Sequence, residues 1–192
     1  MNANIRSIEK RGVRILAVAS GPIEGRKRTI AVGVVKNGVA IEGILSCMVE
    51  VDGNDSAKNI IGMVESSKFR SLIKVIVLDG AALAGLNIVN LNELRGRLGV
   101  HVMLITRHKP RSKALRRAIV RFGKNGGKGV EGKLAAYKSL EALVGFEGKA
   151  FYAMSDIKGK IAQEIAGYAF EALRLAHMIA RGVATGESRG RI

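Results

Sequence analysis

The sequence predicts an α/β protein built on a mixed sheet of five to six strands flanked by helices. Three observations predict it. Three apolar runs of strand length stand close together near the start, apolar runs then alternate with stretches of helical period, and the last third is largely helical in pattern. Strands joined by short turns pair antiparallel, whereas strands separated by helices pair parallel through right-handed crossovers. The expected order is an antiparallel meander followed by parallel strand-helix units. A length of 192 residues suits one domain, 1–192, with a sizeable core.

Each element has a local reason. Residues 13–20 (VRILAVAS) and 29–35 (TIAVGVV) are the first two strands, and the Asn37-Gly38 turn leads into the third, 40–51 (AIEGILSCMVEV). Asp52-Gly53-Asn54-Asp55 ends that strand, and Asp55 or Ser56 caps a helix with Ile60, Ile61, Val64 and Phe69 on its buried face. Residues 72–79 (LIKVIVLD) form a continuous apolar run, as in a strand covered on both faces. A helix at 90–98 and a buried strand at 101–106 (HVMLIT) follow. Residues 111–121 (RSKALRRAIVR) read as a basic amphipathic helix, and 123–133 (GKNGGKGVEGK) as a flexible Gly/Lys-rich loop. A helix near 133–144, a short strand KAFYAM and a helical tail over 158–182, with breaks at Gly167 and Gly182, complete the reading.

Charge narrows the partner class. The net charge is +16, and residues 107–149 hold twelve basic side chains against three acidic ones. Such a surface attracts phosphates through counterion release, so DNA or RNA is the expected partner. A solubility device or a thermophile habit is the alternative source of the charge. With no Trp, three Tyr and five Phe, there is little on which to stack single-stranded bases. Cys47 is alone, which excludes an internal disulfide and a thiolate metal cage, and its apolar strand points to a packing thiol. No apolar stretch approaches the roughly 20 residues that span a bilayer. The start is too charged for a signal sequence, so the expectation is a cytoplasmic protein with no membrane partner.

Chemistry-bearing residues gather at predicted strand ends. Asp79 closes LIKVIVLD before Gly80, at the edge where open α/β sheets bind ligands, with turn capping as the alternative. Arg107, Lys109, Arg111 and Lys113 leave the next strand at the same end, and Arg26, Lys27 and Arg28 follow the first strand. These cations are either a phosphate platform or a solvated basic face. His177 shares a helix face with Phe170, Leu173, Arg174 and Arg181, as a ligand or proton carrier or as a core-edge histidine bonded to backbone. Asp52 and Asp55 are turn and cap residues or oxygen ligands.

The strand and helix order is that of the ribonuclease H fold. The stretches GPIEGRKRTIAVGVV, EGILSCMVEVDGNDS, VIVLDGAALAGLNIVNL, HVMLITRHKP and LRLAHMIARGVATGESRGR together resemble an archaeal family of unknown function, domain family ninety-nine, distantly similar to endonuclease V. That resemblance implies a ribonuclease H-like nuclease whose carboxylates hold Mg²⁺ or Mn²⁺ for phosphodiester hydrolysis. It also implies where the ligands belong. The paired Asp before Gly-Pro are replaced here by Ala19 and Ser20, while Asp79 keeps its place before Gly80. On the third strand Val49 is nearest in register, and Glu50 beside it serves only if a bulge intervenes. His177 holds the helix position, where imidazole suits Mn²⁺ better than Mg²⁺. GESRGR matches the family ending, so Glu187 either offers a missing carboxylate or pairs with an arginine, and Arg189 joins Arg174 among the nucleic-acid contacts.

The resulting expectation is an endonuclease V-related protein that binds nucleic acid around a degenerate nuclease site, with Asp79 and His177 as its remaining catalytic groups. One alternative is an active Mg²⁺- or Mn²⁺-dependent endonuclease on DNA or RNA, with Asp79, Glu50 or Glu187 as ligands in a rearranged site. The other is a non-catalytic interaction protein that forms a homo-oligomer through apolar surface.

Overall fold

Strands β1 (Arg14–Ser20), β2 (Arg28–Asn37) and β3 (Ala40–Glu50) form the antiparallel meander that their short connections require. The computed structural model describes residues 13–110, 112–148 and 150–188. Asn37 pairs with Ala40, so the hairpin loop is Gly38-Val39, one residue later than the Asn-Gly pattern places it. Gly38 has φ +56°, which a side chain at that position resists.

After α1 (Ser56–Glu65) the chain enters β4 (Val75–Asp79), which pairs with β1 in parallel. The expected strand start at Leu72 is not observed, because Leu72 and Ile73 still belong to the turn that hydrogen-bonds back to Phe69. A two-stranded hairpin, β5 (Ala82–Leu83) and β6 (Asn87–Ile88), follows β4. Helix α2 (Leu91–Leu98) follows, with the Asn90 side chain accepting from the backbone N–H groups of Asn92 and Glu93 and Gly99 closing the helix at φ +65°. Strand β7 (His101–Thr106) then pairs with β4 in parallel.

The remaining elements are helices α3 (Ser112–Lys124) and α4 (Val130–Lys138), a 3₁₀ turn (Ser139–Ala142), strands β8 (Val144–Glu147) and β9 (Tyr152–Ser155), and helix α5 (Lys160–Thr185). The main sheet is seven-stranded in the order β3-β2-β1-β4-β7-β9-β8. It exceeds the expected five to six because Val144–Glu147, which lies between the helix expected to end near 144 and the strand KAFYAM, is itself a strand paired with β9. Only β1, β4 and β7 run parallel, since β9 returns antiparallel to β7.

Two further expectations are corrected by packing. The Gly/Lys-rich stretch is loop only over 125–129, because Gly123 lies against Val130 and Gly132 against Asn54, where a side chain would not fit. Helix α5 runs through Gly167 and Gly182 without a break. Its buried alanines, including Ala169, Ala172, Ala176 and Ala180, seat it on Ala17, Ala19, Val32 and Val77. That packing outweighs the roughly 1 kcal/mol that each helical glycine costs. On the opposite sheet face Leu16, Val18, Leu78 and Leu104 pack under α1 and α2.

Asp156, just after β9, ties α2 to β7. Its carboxylate accepts from Arg95 Nε at 2.8 Å, lies 3.3 Å from His101 Nδ1 and accepts from the Val102 N–H at 3.2 Å. Burial pushes its pKa up, but the hydrogen bonds from His101 and Arg95 outweigh burial and hold it below 3.8. Hydrogen bonds to charged groups contribute about 1.5–3 kcal/mol. We therefore expect Asp156→Asn to lose about 2 kcal/mol at neutral pH. The depressed pKa means that the stabilisation is complete above the unfolded value and is lost as pH falls through the folded one. In denaturant titrations at stepped pH, the wild-type advantage should shrink toward zero in acid below 3.8; an advantage that persists there contradicts the assignment.

Candidate functional site at the sheet edge

Asp79 is the last residue of β4, and its alternation with Val75 and Val77 puts it on the face that α5 covers. Val18 pairs with Leu78, so Ala19 is the neighbouring β1 position, in line with Val32 on β2 and Ser46 on β3. Ala19 is fully buried. Ser20 points to the other face, where its Oγ accepts from the Ala84 N–H at 3.3 Å. Of the two positions where the family resemblance expects Asp, only the one occupied by Ala19 faces Asp79.

The Asp79 carboxylate accepts no hydrogen bond and forms no ion pair among the described residues. It lines a narrow crevice with Ile105, Thr106, Arg107, Phe170 and Leu173. Burial pushes its pKa up, against the charges of His177 and Arg107. His177, one turn beyond Leu173, holds a buried Nδ1 that also has no hydrogen-bond partner. The two unpartnered groups thus face one region from the sheet and from the helix.

The other expected ligands lie elsewhere. Glu50 shares the Asp79 face, being paired with Arg28, but it sits four residues beyond Ser46, about 14 Å along the strand and about 14 Å across three strand spacings. The ladder irregularity is at Val35/Lys36, not beside Glu50, and Val49 is buried in the opposite core. Glu187 follows the C-terminus of α5, about 12 Å of helical rise beyond His177. Asp52 and Asp55 serve the turn. Asp52 Oδ1 accepts from the Leu86 N–H at 2.7 Å, and Asp55 accepts from the Glu50 N–H, Asn59 and Asn87 rather than capping α1.

These positions decide the metal question on donor chemistry. A hard cation needs several oxygen ligands. The site offers one carboxylate and one imidazole, and among the described residues no three of His, Cys, Asp and Glu converge to hold an ion. The residues present do not fit the carboxylate-held Mg²⁺ or Mn²⁺ centre that the resemblance implies.

Basic residues cluster unevenly around this edge. Arg107 lines the Asp79 crevice, and Lys109 Nζ lies 5.9 Å from the centre of the Tyr152 ring. Lys113 is exposed at the start of α3. Arg26 donates to the Ala184 carbonyl at 2.8 Å, closing the C-terminal end of α5, where a cation is favoured. Arg28 donates to the Met48 carbonyl and lies 3.8 Å from Asp55, whereas Lys27 is exposed. Arg174 is paired with Glu171 at 3.5 Å. Arg111 and Arg189 lie outside the described residues.

A cavity of about 690 Å³ opens on the other side of the same strand ends, lined by Ala81, Leu104, Lys109, Tyr137, Tyr152 and Thr106 among others. Thr106 borders both this cavity and the Asp79 crevice. Cys47 is distant in role as well as place: burial, helped by the Asp55 charge, pushes its thiol up to about 11, so it is an inert packing group. The exposed apolar side chains Ile41, Ile44 and Met48 line β3, the surface that an oligomer reading requires.

Sequence reasoning missed Lys133 and underread Asn87. Lys133 is fully buried, and its Nζ donates to the carbonyls of Asp52 and Gly53, each at 2.6 Å, and to Asn54 Oδ1 at 3.0 Å. The available signal was a lysine at helical spacing between Val130 and Ala136. Asn87, also buried, donates to the Glu50 carbonyl and to Asp55, and accepts from the Ser56 N–H, so it caps α1 from a distance.

A parallel core β1-β4-β7, an antiparallel meander on one flank and helices on both faces define a ribonuclease H-like fold of the endonuclease V type. A crystal structure of endonuclease V from Ciona intestinalis, in complex with inosine-containing DNA, superposes with a TM-score of 0.53 at 9% identity, covering 93% of this chain and 88% of that one. A protein of unknown function from Archaeoglobus fulgidus superposes with a TM-score of 0.74 at 24% identity, covering 89% and 98%. The family model described as Endonuclease dU matches residues 11–184, and the chain belongs to that family. An uncharacterised relative from Methanothermobacter thermautotrophicus is 34% identical over 98% of this chain and 96% of its own length. Among the described residues no helix is long and apolar enough to cross a membrane.

Proposed function

We propose that this member of the Endonuclease dU family is a cytoplasmic nucleic-acid-binding protein that has lost most or all metal-dependent cleavage. The observation that carries the loss is Ala19 beside Asp79, which leaves a single carboxylate at the strand ends where several must converge. The binding half rests on Arg107 and Lys109 at the strand ends, beside a cavity of about 690 Å³ whose Tyr137 and Tyr152 suit the flat face of one extruded base. The names of the family and of its fold relatives, which specify deoxyuridine and inosine-containing DNA, agree with a nucleic-acid ligand.

Titration against labelled DNA and RNA at several salt concentrations tests this reading. We expect affinity that falls steeply with salt. Affinity no better than that of a lysine-rich control protein, or indifferent to salt, rejects it.

A specific observation favours the active alternative. Asp79 and His177 Nδ1 both lack partners in one region, as groups reserved for a ligand do. If that reading holds, Mn²⁺ or Mg²⁺ supports cleavage that Asp79→Ala abolishes.

A further inference from the structure

Helix α3 carries five cations and no acid. On a period of about 100° per residue, Lys113, Arg116, Arg117, Arg121 and Lys124 fall within an arc of about 140°. All five are exposed, while Leu115 and Ile119 turn inward and Phe122 is half-buried. None of the five forms an ion pair or a hydrogen bond among the described residues. A surface charged for solubility intersperses both signs, and a thermophile's ion network pairs them. This face does neither.

The helix is also fixed in place. Ile119 packs with Ala136 and Ile88 in a small core under the α3–α4 hairpin. The buried Lys133 ammonium binds the turn at Asp52 and Gly53, and Asn54 Nδ2 donates back to the Gly129 carbonyl at 2.9 Å. Two open grooves, of about 700 and 440 Å³, flank the cations and share Arg117, Arg121 and Asn125.

We propose that α3 is a docking element for duplex DNA, lying along the major groove with Lys113, Arg117, Arg121 and Lys124 on phosphates; this rests on the nucleic-acid reading above. Lys113 to Lys124 spans about 17 Å of helix, half of a duplex turn of about 34 Å. Cations spread over a wide arc reach both walls of a groove about 12 Å across, which admits a helix. The deep, narrow major groove of duplex RNA does not admit one. A single strand needs exposed rings to stack on, and the only ring of α3, Phe122, lies under the Lys133 ammonium at 5.2 Å.

The test is fluorescence anisotropy of the full chain with a short labelled DNA duplex over a range of KCl concentrations. Each lost phosphate contact reduces the salt slope by about 0.9. We expect the triple variant Arg117→Gln, Arg121→Gln, Lys124→Gln to flatten the slope by about 2.7 and to weaken binding roughly 100-fold at low salt. The control Lys58→Gln, Lys68→Gln, Arg70→Gln removes the same charge from an exposed surface elsewhere and should keep the wild-type slope. The conservative pair Arg117→Lys, Arg121→Lys should also keep it. Equal loss in the α3 and control variants, or an unmoved slope in the α3 variant, overturns the docking role while leaving the nucleic-acid reading intact. Tighter binding to the single strand or to duplex RNA overturns the choice of duplex DNA. A wild-type chain that binds none of the three rejects the underlying reading itself.

Discussion

Replacing Lys133 by Met is expected to unfold the protein about 10 °C earlier, although the residue touches no part of the Asp79 site. Its ammonium satisfies the Asp52 and Gly53 carbonyls and Asn54 Oδ1, and the side chain is fully buried. Methionine fills a similar volume and donates nothing. Buried acceptors left without a donor cost about 1–3 kcal/mol each, so a loss near 3 kcal/mol follows. For a chain of this size each kcal/mol is roughly 2–4 °C. Alkaline pH gives an independent check. Burial lowers the Lys133 pKa below 10.5, against the nearby Asp52 charge. The unfolded chain therefore binds the extra proton between the lowered value and 10.5, and wild-type stability should rise with pH there relative to Lys133→Met. Calorimetry that finds the variant within about 2 °C of wild type removes the clamp from the account.

The second large effect concerns Ala19→Asp. That position is fully buried under α5 and adjacent to Asp79, whose carboxyl burial already pushes up. A second carboxylate there is desolvated and faces a like charge. We expect a loss of about 3–5 kcal/mol, typical of a buried charge without a partner, and a correspondingly large fall in Tm. Mn²⁺ should restore part of it, because a ligand that binds only the folded state at about 100-fold above its Kd returns about 2.7 kcal/mol. Wild type should show no such response. Equal Mn²⁺ stabilisation of both proteins places a competent metal site in the natural chain and refutes the degenerate reading; an unchanged variant Tm without metal refutes the proposed packing around Ala19.

Much of the fold was legible because it depends on local signals. The apolar runs of β1, β4 and β7 and the Asn90 and Gly99 signals around α2 lie in contiguous residues. Strand β8 was not legible, because Val144–Glu147 is short and contains Gly145, and only pairing with β9 defines it. The glycines around residue 125 read as flexibility, whereas several are close approaches against Val130 and Asn54 that only the folded chain creates.

The site divides in the same way. Asp79 at a buried strand end and the absence of acid at Ala19 could be read from the sequence, and Asp79 keeps the sheet-edge position. That Ala19 and Ser20 face opposite sides follows from strand alternation. The distance of Glu50 from Asp79 does not, since it depends on the β2–β3 register. Arg26 looked like a free cation beside Lys27, yet its partner is a carbonyl at the far end of a helix 158 residues away in sequence.

One measurement bears most directly on the central claim of binding without cleavage. Wild-type protein is incubated with end-labelled duplex DNA containing a single deoxyuridine, in Mn²⁺, and the same samples are run on native and denaturing gels. The account predicts a shifted complex on the native gel and full-length strands on the denaturing gel. Site-directed cleavage that requires Mn²⁺ and disappears in Asp79→Ala would contradict it.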